Sequence, residues 1–253
     1  EESDIYDVLE HIAYRDTWGK GADSFLSMIY ERIILMKDLL SDDGVLFLHC
    51  DWRLSAQIKV ILDEVFGTNN FVNELIWYYG GNSVPSNSFP KKHDNILLYK
   101  KKNININFDK ILEPYSEGTL KRYNHTDADG RKYKISTLGK KTEKVYAKEG
   151  RYPDSVWKIP VTRNISERVG YPTQKPEELI KKVILSCTKE NDLVCDFFAG
   201  SGTVASVSER LNRKWICSDL GKFSIHTIRK RMIGVQRELK ESEKNWRAFE
   251  VLN

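Results

Sequence analysis

The chain has 253 residues, 40% of them hydrophobic and 30% charged, which suffices for one sizeable domain with an insertion or for two small ones. Its net charge of +4 admits a nucleic-acid partner without demanding one, so where the charges lie matters more than their sum. No apolar run approaches the roughly 18 residues of a membrane span, the acidic start is unlike a signal peptide, and four widely spaced cysteines match no zinc pattern, so a cytoplasmic protein with reduced core thiols is expected.

After an irregular opening that contains Tyr14, Asp16 and Trp18, Phe25, Met28, Ile29, Ile33, Leu35, Met36 and Leu39 recur at helical spacing and predict a helix over 24–40 with Ser24 as its N-cap. Asp42-Asp43-Gly44 turns the chain into an apolar run, Val45 to His49, suited to a strand covered on both faces. Asp51 follows at its carboxyl end, where open α/β sheets place ligand-facing residues. A second helix is expected over 55–66, closed by Gly67. Strands follow over 71–79 and 95–99, with a polar loop and the segment Phe89-Pro90-Lys91-Lys92-His93-Asp94 between them.

From about Lys101 to Arg168 the composition changes. Arg122, Lys132, Lys134, Lys140, Lys141 and Arg151 stand among further cations, with Tyr123, Tyr133, Tyr146 and Tyr152 interleaved. Such a mixture suits phosphate contact and base-edge readout, and equally a solvated lysine-rich surface. Beyond it come the turn Tyr171-Pro172-Thr173-Gln174-Lys175-Pro176 and a helix over 177–188.

The stretch Asp192–Asp219 then reads as strand, tight turn, helix and strand. Leu193, Val194 and Cys195 lead through Asp196 into Phe197-Phe198-Ala199-Gly200-Ser201-Gly202-Thr203, and a short strand at Trp215–Cys217 ends near Asp219. This is half of a nucleotide-binding fold. The glycines permit a sharp turn and close approach of a ligand, and an acid after the second strand is placed to accept from ribose hydroxyls. Gly200-x-Gly202-x-x-Ala205 satisfies a dinucleotide fingerprint, which would make the protein an NAD-dependent oxidoreductase. The alternative is an S-adenosylmethionine site. Asp196 discriminates between them, because a carboxylate there repels a pyrophosphate and suits the ammonium of a methionine moiety. A long charged helix over about 223–244 finishes the chain.

The sequence DFFAGSGT preceded by YPTQKPEELI resembles the amino-type DNA methyltransferases, which methylate adenine-N6 or cytosine-N4 in restriction-modification systems. The order of the segments is similar to the permuted beta class of that family. The resemblance implies a Rossmann-like S-adenosylmethionine-dependent methyltransferase fold of α/β class, with a mixed, mostly parallel sheet, helices on both faces and an inserted DNA-recognition segment. It divides the chain into a catalytic-side half at 1–100, a target-recognition insertion at 101–168 and a cofactor-binding half at 169–253. It implies S-adenosylmethionine as cofactor, held by Thr173, Gln174, Lys175, Pro176, Asp196 to Thr203 and Asp219, and double-stranded DNA as partner. Lys91, Lys92 and His93, in a segment that resembles the lining of the extruded-base pocket, are expected near DNA together with the insertion's cations. A restriction subunit and a homodimer are open as further partners.

The implied chemistry needs an acidic or amide residue, two prolines and an aromatic ring, as in Asp-Pro-Pro-Tyr or Asp-Pro-Pro-Phe, and no Pro-Pro dipeptide occurs in the chain. In the beta class that tetrapeptide precedes the helix expected at 24–40, so it is expected upstream of Glu1. No catalytic residue is therefore named. A DNA-binding module without chemistry is the alternative outside enzymes.

Overall fold

The computed structural model describes residues 22–81, 87–139, 141–161 and 167–252; the opening segment with Tyr14, Asp16 and Trp18, as well as Lys140, lies outside them. The chain divides into a larger unit, Glu1–Ile106 with Ser155–Asn253, and a smaller one, Asn107–Asp154.

In the larger unit helix α1 runs from Ala22 to Leu39, two residues earlier than the apolar spacing predicts, so Ser24 lies within its first turn and is not its cap. Strand β1 (Val45–Cys50), helix α2 (Ser55–Phe66), strand β2 (Phe71–Tyr78) and strand β3 (His93–Lys100) follow the sequence expectations closely. Gly67 closes α2 at φ +89°, where a side chain would be strained, and donates its N–H to Asp63.

The strand covered on both faces is β3. It lies between β1 and β2, antiparallel to each, and Asn95 to Tyr99 are all buried. β1 is the edge of this sheet among the described residues and is only half-buried. This pairing departs from the expectation of a mostly parallel sheet for a simple reason. β2 and β3 are consecutive strands with no helix between them among the described residues, and such neighbours pair antiparallel, while β1 pairs with β3 and not with its own sequence neighbour β2. Parallel pairing occurs where other elements intervene: β2 with β7 (Val156–Lys158), and β8 (Leu193–Asp196) with β9 (Lys214–Cys217).

Helices cover both faces of the β1–β3–β2–β7 sheet. On one face Ile29 and Ile33 of α1 and Ile58, Leu62 and Phe66 of α2 pack with Leu97 and Tyr99. Tyr99 is completely buried, and its hydroxyl donates to Asp63 at 2.7 Å, which satisfies the one polar atom that its burial would strand. On the other face Leu75, Trp77, Ile96, Trp157 and Ile159 meet Leu179 of the helix Glu177–Cys187. A third cluster joins the glycine loop to Thr203–Arg210 and to the long helix Lys222–Glu241, through Ala199, Ala205, Ile228, Met232 and Val235. Cys195 is exposed, unlike the expected core thiols, because alternate residues of β8 face outward.

The smaller unit contains a short helix, α3 (Glu117–Leu120), and an antiparallel sheet of β4 (His125–Thr126), β5 (Lys132–Leu138) and β6 (Lys141–Tyr146). The remaining helices of the larger unit are α4 (Glu177–Cys187), α5 (Thr203–Arg210) and α6 (Lys222–Glu241).

Leu62, with no exposed surface, sits at the centre of the first core. Leu62→Ala is expected to lower the unfolding free energy by about 2–5 kcal/mol, measured as a lower denaturation midpoint at unchanged m-value.

Candidate functional site

Strand β8 ends at Asp196, and the next six residues turn back into α5. A turn this tight leaves backbone amides without helix or sheet partners, and each needs an acceptor. Phe198 donates its N–H to the Asp196 carboxylate at 3.1 Å, Ala199 to the Ser218 carbonyl at 3.1 Å, and Gly202 to the Ala199 carbonyl at 2.7 Å. Gly200 donates to Asp219 Oδ2 at 2.8 Å, while Oδ1 of the same carboxylate accepts from Gly221 at 2.8 Å. Two of the loop's amides, those of Phe198 and Gly200, are thus taken up by carboxylates.

The Asp219 charge also bears on Asp196. Burial raises the Asp196 carboxyl above its ordinary value, the Phe198 N–H opposes that rise, and the Asp219 charge adds to it. A cation or a set of hydroxyl groups relieves this arrangement, whereas an added phosphate aggravates it.

Of the loop's glycines, Gly202 has a structural reason for lacking a side chain. At φ +72°, a Cβ would stand 2.8 Å from Ile228 Cγ1, so its bareness lets α6 close onto the loop. Gly200, at φ +49°, lies under Tyr171, whose ring edge would be 3.4 Å from an added Cβ. Tyr171 stacks on Phe223 and its hydroxyl is 3.0 Å from Ser224 Oγ. Ala199, Ser201 and Thr203 are buried, Phe197 is half-buried and Phe198 exposed.

The turn before α4 is built from its own side chains. Gln174 accepts from the Val169 N–H at 3.0 Å and donates to the Glu167 carbonyl at 2.8 Å. Lys175 donates to the Thr173 carbonyl at 3.1 Å, and its own carbonyl accepts from Thr203 Oγ1 at 3.2 Å, which ties this turn to the glycine loop. Pro176 is buried as the N-cap residue of α4. Thus Thr173 to Pro176, the loop and Asp219 are brought together as one body.

The carboxyl end of β1 holds a group that the sequence did not single out. His49 Nε2 lies 2.9 Å from Asp94 Oδ2, with its ring against Trp77. Burial holds the imidazole below its ordinary pKa, the Asp94 hydrogen bond works against that, and the Lys175 charge reinforces it. Asp51, expected to face a ligand, is engaged by Arg53 through both backbone and side chain. The nearest sequence signal for the pair was the segment Lys91-Lys92-His93-Asp94 itself. In it Lys91 lies over the Trp52 ring at 3.8 Å, the Lys92 carbonyl accepts from Tyr79, and His93 opens β3 opposite Tyr78.

In the smaller unit, register places Lys132, Lys134 and Lys141 on one face of the sheet, and His125, Tyr133, Lys144 and Tyr146 on the other. Lys134 lies over the Tyr123 ring and Lys144 over Tyr133. Arg122 is exposed. Arg151 is committed within its own unit, to Glu113 and Asp154, each at 2.6 Å.

Residues 6–230 match the model of a family described as DNA methylase. The chain belongs to that family. This methylase chain is 28% identical over 274 residues to the Type II methyltransferase M.EcaI of Enterobacter cloacae, covering 88% of the chain and 60% of the relative. It is 27% identical over 213 residues to the Type II methyltransferase M.HpaI of Haemophilus parainfluenzae, covering 83% and 60%. The chain thus spans 60% of the length of these curated relatives. Among solved structures, the cytosine-N4-specific PvuII DNA methyltransferase superposes with a TM-score of 0.59 at 14% identity, over 83% of this chain and 71% of that one. The methylase chain therefore has the α/β methyltransferase fold, with the glycine loop and the turn before α4 side by side.

The Gly202 contact gives a direct check on that packing. Gly202→Ala is expected to destabilise the chain by about 1–3 kcal/mol through the Ile228 clash and the positive φ, and adding Ile228→Ala should remove the clash but not the φ strain. Chemical denaturation of the single and double variants measures the coupling.

Proposed function

We propose that the chain is the cofactor- and DNA-handling part of a restriction-modification DNA methyltransferase. It serves transfer of a methyl group from S-adenosylmethionine to the exocyclic amino nitrogen of adenine (N6, favoured) or cytosine (N4). The observation that carries this reading is the hydrogen bond from Gly200 N–H to Asp219. In a dinucleotide site the loop's amides and helix start face a pyrophosphate. Here that amide is bound to a carboxylate, and a second carboxylate stands beside it, which disfavours NAD and favours a cation.

S-adenosylmethionine supplies an electrophilic methyl group on a sulfonium. In this reading the chain's own residues bind and orient. Asp196 takes the ammonium of the methionine moiety and Asp219 the ribose hydroxyls, while Thr173 to Pro176 wrap the methionine end and Phe197 to Thr203 line the floor. An exocyclic amino group is a weak nucleophile, because its lone pair is delocalised into the ring, so alignment with the methyl group carries much of the rate. The base must leave the duplex to be reached. Lys91, Lys92 and His93 are assigned to that approach, and Arg122, Lys132, Lys134, Lys140 and Lys141 to the phosphates. Arg151 keeps its place in this set only if DNA draws it from Glu113 and Asp154.

The family's Pro-Pro tetrapeptide has no counterpart in the 253 residues, so no residue is given the catalytic role. Double-stranded DNA is the partner this function requires. A restriction subunit and a second copy of the chain stand beside it as partners of the whole protein.

Equilibrium binding is expected to show S-adenosylmethionine preferred over NAD; the reverse order would remove the methyltransferase reading. Asp196→Asn keeps an acceptor for Phe198 N–H and removes the charge. It should weaken S-adenosylmethionine tenfold or more while raising Tm at neutral pH. The sign follows from the raised carboxyl: its ionised form costs stability above the folded-state value, and the cost is relieved as pH falls through that value. The Tm advantage of the variant should therefore shrink on acidification.

A methyl-transfer assay on unmethylated duplex DNA compares this chain with a version extended upstream. Activity is expected only from the extended one, and methylation by the 253-residue chain would show that its own residues supply the missing role.

A further inference from the structure

Behind the glycine loop lies a buried polar knot to which the proposed function assigns nothing. Its centre is Arg231 of α6, whose side chain is 5% exposed. Nη1 donates to the Ser201 carbonyl at 3.2 Å and to Thr203 Oγ1 at 3.0 Å, and Nη2 donates to Glu177 Oε1 at 2.7 Å. Glu177 is the first residue of α4, directly after Pro176. One guanidinium therefore holds the glycine loop, the start of α5 and the end of the Thr173–Pro176 turn.

We propose that Arg231 is a positioning residue for the cofactor: its planar fork fixes the spacing between the glycine loop and the turn before α4, and so presets the cleft that S-adenosylmethionine enters. The inference rests on the cofactor reading above. Three features make a positioning role the better account than general stability. The donors reach backbone and hydroxyl groups of the loop itself, and not merely a facing helix. The rigid guanidinium sets directions as well as charge, which a lysine ammonium does not. Thr203 Oγ1, one of its acceptors, in turn donates to the Lys175 carbonyl, so the same hydrogen-bond chain runs from α6 to the turn by two routes.

A neighbouring arginine supplies the control. Arg210 also binds Glu177, at 3.0 Å, and pairs with Glu238 at 2.8 Å, but makes no hydrogen bond to the loop among the described residues. Arg231 and Arg210 thus share one carboxylate and differ in whether they touch the loop. Removing Arg231 leaves Glu177 with Arg210 and with Ser206, whose hydroxyl is 2.8 Å away, so Arg231→Met does not strand that charge.

The test uses the full chain and measures Kd for S-adenosylmethionine, Kd for duplex DNA and Tm in Arg231→Met, Arg231→Lys and Arg210→Met, with binding read well below every Tm. Arg231→Met is expected to raise the S-adenosylmethionine Kd tenfold or more while the DNA Kd stays within about twofold, with partial recovery in Arg231→Lys. Arg210→Met is expected to lower Tm while its S-adenosylmethionine Kd stays within about twofold of wild type. Equal losses in the two Met variants, or an unchanged Kd in Arg231→Met, would overturn the positioning role. A wild-type chain that binds no S-adenosylmethionine would instead overturn the cofactor reading, and this inference with it.

Discussion

The hydrogen bond between Gly200 and Asp219 is the constraint around which the cofactor half of this chain is arranged. A loop that reverses direction in a few residues exposes amides that the fold must satisfy, and this one satisfies them largely with carboxylate and carbonyl oxygens from β8, β9 and the residues after them. The choice of acceptor decides the electrostatics. Had the Gly200 amide been left outward, the loop would have offered partial positive charge to an anion; bound to Asp219, it leaves negative charge at the rim. The Asp196 carboxyl, already raised by burial, registers the same crowding.

Packing places that loop. α5 and α6 close on one another through Ala205, Ile228, Met232 and Val235, and Gly202 admits Ile228 where any side chain would hold the helices apart. The turn before α4 arrives from the other direction, because Leu179 anchors α4 to the face of the four-stranded sheet. Arg231 lies where these two supports converge. The arrangement binds several segments distant in sequence into one rigid frame, and it does so with buried ion pairs whose value lies in geometry more than in net stability.

Much of this was legible in the sequence. Strongly periodic helices and short apolar strands were found within a few residues of their observed ends, since burial of one face writes itself into residue spacing. Strand order was not legible, because β3 reads like any other apolar run until its neighbours are known. The glycine loop announced itself, but the reason for Gly202 did not, as it depends on Ile228 in a helix far along the chain. Arg231 was the most readable of the residues passed over. It occupies an inward position of α6, on the same side as Ile228, Met232 and Val235, and a charged residue on an apolar stripe asks for a buried partner. The His49–Asp94 pair left no such signal, being formed across two strands and visible only in their register.

The small sheet of β5 and β6 has a different character. None of its described side chains is buried, on either face, and it is shaped by turns, cross-strand ring contacts and backbone pairing. Substitutions there disturb no core, so their cost in folding should be small. Such a surface is free to drift: its outward chemistry can be rewritten over generations while the scaffold that carries it stays intact, giving lineages of one architecture room to diverge in what they touch.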